Sequence, residues 1–179
     1  MKLSKALFAA GCFWHVQFTF SQVRGVVRTT AGYCGGRVAN PTYEQVCTGK
    51  TGHAEAVFVE FDSSVVSYSD LLDVFWEMHD PTQLNRQGPD VGSQYRSVIF
   101  YYSEEQREIA VTSLVKWQKK LGVSKKIVTE VVAAEGFYAA EEYHQDYVKG
   151  RKRILPLSTQ EFYENSPCFK KTGRKVCGI

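Results

Sequence analysis

The amino-acid sequence predicts an α+β fold, a two-layer sandwich in which helices pack on one side of a mixed sheet with a ferredoxin-like core. Three observations lead to this prediction. The chain has 179 residues, a length that suits one domain with a sizeable core. Its residues are 44% hydrophobic and 23% charged, as in ordinary globular proteins. Strand-like and helix-like segments form two β-α-β units, followed by a helix, a strand and a helix.

The first unit begins with an apolar run at 6–10, which predicts a short buried strand. Residues 13–23 repeat apolar side chains at helical spacing and predict a helix, and residues 26–32 predict a second strand. The glycine-rich stretch at 32–41 closes with Asn-Pro and is predicted to be a loop.

The second unit begins with a predicted strand at 54–61. A helix at 67–79 follows, because a serine and an aspartate three residues apart have the spacing of a capping box and apolar residues share one face. The polar stretch at 79–92 is predicted to be a long loop, which is often functional. A strand at 96–102 completes the unit.

The last predicted elements are a helix capped by Ser103, a strand at 127–133 and a helix at 139–148. From residue 150 onwards the sequence looks irregular. We therefore expect one catalytic domain over 1–179, with 150–179 as a mobile tail.

Charge and hydropathy argue against nucleic-acid and membrane partners. The net charge is only +3, whereas nucleic-acid binding usually leaves a concentrated basic stripe. No run approaches the ~18 apolar residues of a membrane span. The locally basic stretch at 169–175 is expected to be solvated. The cysteines and histidines lack C-x-x-C and H-E-x-x-H patterns, so no metal is expected.

The stretch ALFAAGCFW, residues 6–14, allows two interpretations of Cys12. Lysines before a short apolar run imitate a secretion signal that ends in a lipid-bearing cysteine. A signal needs about 7–15 apolar residues, and only residues 6–10 precede Gly11. We therefore expect a cytoplasmic protein in which Cys12 follows a strand and begins a helix. The helix dipole would then lower the thiol pKa and favour a thiolate nucleophile, and a small buried hydrophobe is the alternative.

Two further features could assist such a thiol. Phe13 and Trp14 cannot both face the core from one helical stripe, so at least one is expected near the surface, as helix-start packing or as an apolar cup for a small substrate group. Glu55 shares a strand face with Val57, where desolvation would raise its pKa and make it a general acid. The alternative is a strand-end glutamate turned to water.

Hydroxyls and further thiols complete the candidates. Tyr43 and the tyrosine in the stretch 88–96 could donate to a developing anion, although most tyrosines simply pack. Cys168 and Cys177 lie in the tail, and either thiol could reach Cys12 as a resolving cysteine. Unrelated exposed thiols are the alternative.

Taken together, these stretches resemble the peptide methionine sulfoxide reductase A family. The resemblance rests on seven blocks in family order, which cover roughly residues 6–150: GCFW (11–14), GYCGG (32–36), NPTYE (40–44), TGHAEAV (51–57), HDPTQ (79–83), DVGSQYR (90–96) and YHQDY (143–147).

The resemblance implies a reaction and the residues that perform it. Cys12 attacks the sulfoxide sulfur and becomes a sulfenic acid. Glu55, with Tyr43 and Tyr95, hydrogen-bonds and protonates the sulfoxide oxygen. Asp90 belongs to the same polar group. The substrate is the S epimer of methionine sulfoxide, free or in proteins, and the activity therefore repairs oxidative damage. No metal or flavin is required.

The resemblance also implies substrate-binding and recycling residues. Phe13 and Trp14 hold the substrate methyl group. Cys168 forms a disulfide with Cys12, Cys177 takes over that bond, and thioredoxin restores the thiols. We further expect a monomer.

The chain departs from the family at a few positions. His15-Val-Gln17 stands where many members have Gly-Val-Glu, which removes a carboxylate near Cys12 and adds a titratable ring. Cys34 and Cys47 are interpreted as structural. Two other functions compete with the reductase: a non-catalytic module that binds oxidised methionine, and a thiol peroxidase or disulfide exchanger. Neither a peroxidase nor an exchanger explains an aromatic pair beside a buried acid.

Overall fold

The structure is a computed structural model that describes residues 1–152. In chain order its elements are β1 (Leu3–Ala10), α1 (Phe13–Ser21), β2 (Val26–Cys34), α2 (Tyr43–Cys47), β3 (Ala54–Asp62), α3 (Tyr68–Met78), β4 (Arg86–Gln87), β5 (Asp90–Val91), β6 (Ser97–Tyr101), α4 (Glu104–Leu121), β7 (Glu130–Ala133), β8 (Tyr138–Ala139) and α5 (Tyr147–Lys152), with 3-10 turns at Ser93–Tyr95 and Glu142–His144.

Six strands form one mixed sheet in the order β7-β6-β1-β3-β2-β8. The four central strands, β6, β1, β3 and β2, run antiparallel to their neighbours, and β7 pairs with β6 in parallel. Because α1 connects β1 to β2 and α3 lies between β3 and β6, this centre has the split β-α-β arrangement of a ferredoxin-like fold. The predicted fold class is therefore confirmed.

The two faces of the sheet are buried in different ways. One face, which carries Phe8 and Val59, packs against apolar residues of α1, α3 and α4. The other face carries Leu7 and Phe100 and packs against the loop that contains Phe137. The helices therefore cover one side only, as the sequence predicted. None of the helices in the described part combines the length and apolarity needed to cross a bilayer.

Local hydrogen bonds explain where two of the predicted helices begin. The Ser67 side chain accepts from the backbone N–H of Asp70, and the Asp70 carboxylate accepts from the N–H of Ser67, which completes the predicted capping box. Ser103 caps α4 by accepting from the N–H of Gln106 at 3.2 Å. A further capping box, between Thr42 and Gln45, begins α2 inside a stretch predicted to be a loop.

The predicted helix at 139–148 is wrong, because this stretch contains the end of β8, a 3-10 turn and only the start of α5. Asp146 has a φ of 49°, a left-handed conformation that no α-helix continues through. The Gln145 side chain bonds both the N–H and the C=O of Ala31 in β2, each at 2.9 Å. Tertiary hydrogen bonds therefore override the local helical pattern. The predicted loop at 79–92 contains a short hairpin, formed by β4 and β5, that the sequence did not predict.

Candidate active site

Cys12 lies at the sharp turn between β1 and α1. It is the N-cap residue of α1, and its carbonyl accepts from the N–H groups of His15 and Val16 at 3.1 and 3.3 Å. The preceding Gly11 has a φ of 92°, and a Cβ there would lie 2.7 Å from the Cβ of Gln87. Only glycine allows this turn under the β4–β5 hairpin. The turn leaves the Cys12 side chain partly exposed at the start of a helix, as the sequence predicted.

Glu55 reaches the same helical turn from β3. Its Oε2 accepts from the backbone N–H of Phe13, the residue after Cys12, at 2.9 Å. The side chain is only 1% exposed. Burial raises the pKa of Glu55 to about 8; the Phe13 N–H opposes this and the negative charge of Asp90 adds to it. The carboxyl is therefore protonated at neutral pH and carries a proton that it can donate.

The phenols of Tyr43 and Tyr95 and the carboxyl group of Asp90 complete the polar side of the site. Burial, followed by the charges of Glu55 and Asp90, raises the pKa of Tyr95. Burial, a hydrogen bond with the Cys47 side chain and the charge of Glu55 raise the pKa of Tyr43. Both phenols therefore keep their protons near neutrality and are able to donate them in hydrogen bonds. Tyr43, Tyr95 and Asp90 are thus all close enough to Glu55 for their charges to interact with it.

The aromatic pair forms the apolar side of the site. Phe13 is 1% exposed, and its ring lies 5.8 Å from that of Tyr33 and 6.4 Å from that of Tyr43. Trp14 is partly exposed, and its ring stacks on Tyr147 at 3.8 Å. One aromatic is thus in the core and the other near the surface, as expected. The two ring centroids are 6.4 Å apart, and this pair, which directly follows Cys12 in the chain, is called the apolar wall below.

Sequence reasoning missed two residues that hold this wall. The Glu141 carboxylate accepts from the hydroxyl of Tyr33 and from the backbone N–H of Tyr43, both at 2.9 Å. His144 is 2% exposed, and its Nδ1 accepts from the indole N–H of Trp14 at 3.1 Å. The block at 143–147 supported the resemblance, but the helix predicted there gave no reason to place His144 at the site.

The surroundings of Gln17 explain why an amide suits a position where many family members have a glutamate. The Gln17 amide is 1% exposed and donates to the Thr29 carbonyl at 3.2 Å and to Gln145 Oε1 at 3.1 Å. Its oxygen accepts from the N–H of Asp146 at 2.9 Å. This site requires a donor and an acceptor on one side chain, which an amide provides and a carboxylate does not.

His15 faces α3. Burial lowers its pKa, while a hydrogen bond to the backbone of Met78 opposes that shift. The neighbouring His79 is also held neutral, because burial lowers its pKa to about 4 and its ring bonds the Phe75 carbonyl and the Ser97 hydroxyl. The ring of His15 is therefore part of the α1–α3 contact.

The remaining cysteines differ in their surroundings. Cys34 is fully buried, and burial raises its pKa to about 11, which suits the predicted structural role. Cys47 is exposed at the end of α2 and hydrogen-bonds the Tyr43 side chain, and its structural role stays a prediction. Cys168 and Cys177 lie outside the described residues.

Within residues 1–152, no group of three or more His, Cys, Asp or Glu side chains could hold a metal ion.

The chain is similar to known methionine sulfoxide reductases. It matches the family profile described as peptide methionine sulfoxide reductase over residues 4–171. It is 59% identical, over 152 residues, to the peptide methionine sulfoxide reductase MsrA of Methanothermobacter thermautotrophicus, which covers 85% of this chain and 90% of the relative.

Solved structures of two proteins have a similar fold. Methionine sulfoxide reductase A of Corynebacterium diphtheriae has a TM-score of 0.79 at 35% identity, over 87% of this chain and 76% of that chain. The reduced form of Mxr1 from Saccharomyces cerevisiae also has a TM-score of 0.79, at 33% identity over 85% and 87% of the two chains. Mxr1 has also been solved in complex with Trx2, and that structure matches at 23% identity with a TM-score of 0.58, over 82% and 85%.

Proposed function

Because the chain belongs to the peptide methionine sulfoxide reductase family, we propose that Cys12 and Glu55 are the nucleophile and the acid with which it reduces methionine sulfoxide. The observation that carries this assignment is the 2.9 Å hydrogen bond from the Phe13 N–H to Glu55 Oε2. It holds a protonated carboxyl at the first turn of the helix that Cys12 begins.

In the first step the Cys12 thiolate attacks the sulfoxide sulfur. The N-terminus of a nine-residue helix favours this thiolate electrostatically. Glu55 protonates the sulfoxide oxygen, with Tyr43 and Tyr95 as further donors, and Asp90 supports this polar group. The oxygen finally resides on the Cys12 sulfur as a sulfenic acid, so the substrate sulfur is reduced by two electrons and the thiol is oxidised by two. Methionine then leaves.

The substrate methyl group is bound by the apolar wall of Phe13 and Trp14. An apolar wall for the methyl group and donors to the oxygen fix two of the three substituents of the chiral sulfur, and the position of Cys12 fixes the direction of attack. This combination favours one epimer, and we assign the S epimer. Free methionine sulfoxide and oxidised methionine in proteins are both substrates, since the reacting group is the same in each. The reaction repairs oxidative damage.

The return of the thiols completes the cycle. The Cys168 thiol attacks the Cys12 sulfenic acid and releases water, which forms a Cys12–Cys168 disulfide. The Cys177 thiol then attacks the Cys168 sulfur, so that Cys12 leaves as a thiol and a Cys168–Cys177 disulfide remains. The dithiol of a thioredoxin then reduces the disulfide and is itself oxidised. Mxr1, a protein with a similar fold, forms a complex with Trx2, which supports a thioredoxin as reductant. We assign residues 1–179 to one monomeric, cytoplasmic catalytic domain, in which the segment 150–179 carries the recycling cysteines Cys168 and Cys177.

The test has two parts, an activity assay with a reductant and peptide mapping after a single turnover without one. Dabsylated methionine S-sulfoxide and dithiothreitol are incubated with the parent chain, with Cys12→Ser and with Cys34→Ser as the matched control. We expect Cys12→Ser to produce no methionine, because a hydroxyl is a poor nucleophile for sulfur, and the control to remain active. Mapping after one equivalent of substrate, without reductant, is expected to identify a Cys12–Cys168 disulfide or, after exchange, a Cys168–Cys177 disulfide.

Two results would replace this function. Binding of the sulfoxide without any methionine product would support a binding module. Peroxide consumption that outpaces sulfoxide reduction would support a thiol peroxidase.

A further inference from the structure

We infer that His144 is a positioning residue that acts through Trp14, an assignment that rests on the proposed function. The indole N–H of Trp14 donates to His144 Nδ1 at 3.1 Å, which joins the start of α1 to the second 3-10 turn. An indole has one donor and no acceptor, so this hydrogen bond occupies its single polar atom. His144 therefore sets the orientation of one half of the apolar wall.

The packing around Trp14 explains why a hydrogen bond is needed there. The ring lies flat on Tyr147, with an interplanar angle of 12° and a centroid distance of 3.8 Å. A stacked ring is able to slide and turn in its own plane, because stacking is only weakly directional in that plane. The bond to His144 Nδ1 lies at the ring edge and fixes the indole against both movements.

The protonation of His144 argues that the chain uses this ring as an acceptor. Because Nδ1 accepts from the indole, the neutral ring carries its proton on Nε2. That N–H is buried and has no hydrogen-bond partner among residues 1–152. A buried donor without a partner lowers the stability of the folded chain. A phenylalanine would fill the space without this cost, so packing alone does not account for the histidine.

The turn that carries His144 is itself held firmly. The Gln145 amide bonds the backbone N–H and C=O of Ala31 and also the carbonyl of Ala140, at 2.9, 2.9 and 3.0 Å. The Gln17 amide bonds Gln145 in turn. His144 is therefore positioned by the central sheet, and it transmits that position to Trp14.

The ring of His144 also touches the polar side of the site. Its centroid lies 4.4 Å from that of Tyr43 and 5.1 Å from that of Phe13. Loss of the ring would thus disturb packing as well as the hydrogen bond, and the experiment has to separate the two effects. His144→Phe keeps an aromatic ring but removes the acceptor. His144→Asn removes the ring but leaves an amide oxygen close to the position of Nδ1.

Steady-state kinetics with free methionine sulfoxide test the proposal. We expect His144→Phe to raise KM about tenfold, the size of effect that loss of one hydrogen bond produces, with a smaller change in kcat and unchanged alkylation of Cys12 by iodoacetamide. His144→Asn should stay within about threefold of the parent because the acceptor is retained. In a Trp14→Phe background, His144→Phe should cause no further rise in KM.

Three results would overturn the proposal: a parental KM in His144→Phe, a His144→Asn variant as impaired as His144→Phe, or an undiminished effect in the Trp14→Phe background. The indole N–H resonance of Trp14, assigned by its loss in Trp14→Phe, gives a readout that does not depend on activity. This N–H should exchange with solvent faster in His144→Phe, where its hydrogen bond is lost, and stay protected as in the parent in His144→Asn, where an acceptor remains. If the parent reduces no sulfoxide, the proposed function fails, and this resonance still decides whether His144 holds Trp14.

Discussion

Glu55 in β3 and Glu141 at the second 3-10 turn act on the same two tyrosines, Tyr33 and Tyr43, from different regions of the molecule. Glu55 is almost completely buried and accepts from one backbone N–H. Burial raises its pKa to about 8. Glu141 is partly exposed and accepts two hydrogen bonds. Burial opposes these donors, but they hold its pKa below the usual value.

The difference shows how environment assigns roles to identical side chains. A carboxyl with a raised pKa carries a proton at neutral pH and is able to donate it, which suits a general acid. A carboxylate with a lowered pKa accepts hydrogen bonds and fixes its donors in place. We therefore expect substitution of Glu55 to affect chemistry, and substitution of Glu141 to affect the position and stability of the wall.

The largest expected effect concerns the acid. Glu55→Gln keeps an oxygen for the Phe13 N–H but removes the proton donor, so kcat should fall by about 10²- to 10⁴-fold. Cys12 should still react with iodoacetamide at a rate close to the parent's. Turnover of dabsylated methionine sulfoxide and timed alkylation measure the two quantities. An unchanged kcat would show that another group supplies the proton.

The second prediction uses pH. Between the unfolded pKa of 4.5 and the folded pKa of about 8, native Glu55 binds a proton that the unfolded chain has lost. Its contribution to stability is therefore fully present below pH 4.5 and is lost as pH rises towards 8, by about 1.4 kcal/mol per pH unit. The free energies of unfolding of the parent and of Glu55→Gln, measured with urea across this pH range, should differ in their dependence on pH by this slope. Parallel curves would contradict the raised pKa.

The third prediction concerns Glu141. Glu141→Gln removes the charge that strengthens the hydrogen bonds from Tyr33 and Tyr43, and we expect it to lower the free energy of unfolding by about 1–3 kcal/mol. The kcat should fall much less than in Glu55→Gln. Urea unfolding and steady-state kinetics at neutral pH measure both. If Glu141→Gln costs as much activity as Glu55→Gln, the division of roles between the two carboxyls is wrong.

The smallest effect is expected for Tyr33→Phe. This change keeps the buried ring but removes the hydroxyl that donates to Glu141, and a single hydrogen bond contributes about 1 kcal/mol. Equilibrium unfolding should place the variant between the parent and Glu141→Gln. A variant less stable than Glu141→Gln would mean that Tyr33 contributes mainly through something other than this hydrogen bond.

Local sequence patterns were sufficient for one half of the candidate site. An apolar run that ends in Gly-Cys before a helical stripe placed Cys12 at a helix start, and strand alternation placed Glu55 on the helix-covered face. Thr42 and Gln45 also carried a capping-box spacing that could have revealed α2. Each of these signals spans only a few residues, so each can be read without the fold.

The sequence by itself predicted the order of five strands (β1, β2, β3, β6 and β7) and three helices (α1, α3 and α4), the fold class, the position of Cys12 and an apolar strand face for Glu55, because these follow from short periodicities and backbone sterics. Only the tertiary structure decided that Glu141 holds Tyr33 and that His144 holds Trp14, across 108 and 130 residues of chain. It also decided that the Gln17 side chain is buried and hydrogen-bonds Thr29, Gln145 and Asp146. Such contacts depend on where the whole sheet brings distant segments together, and no local repeat encodes them.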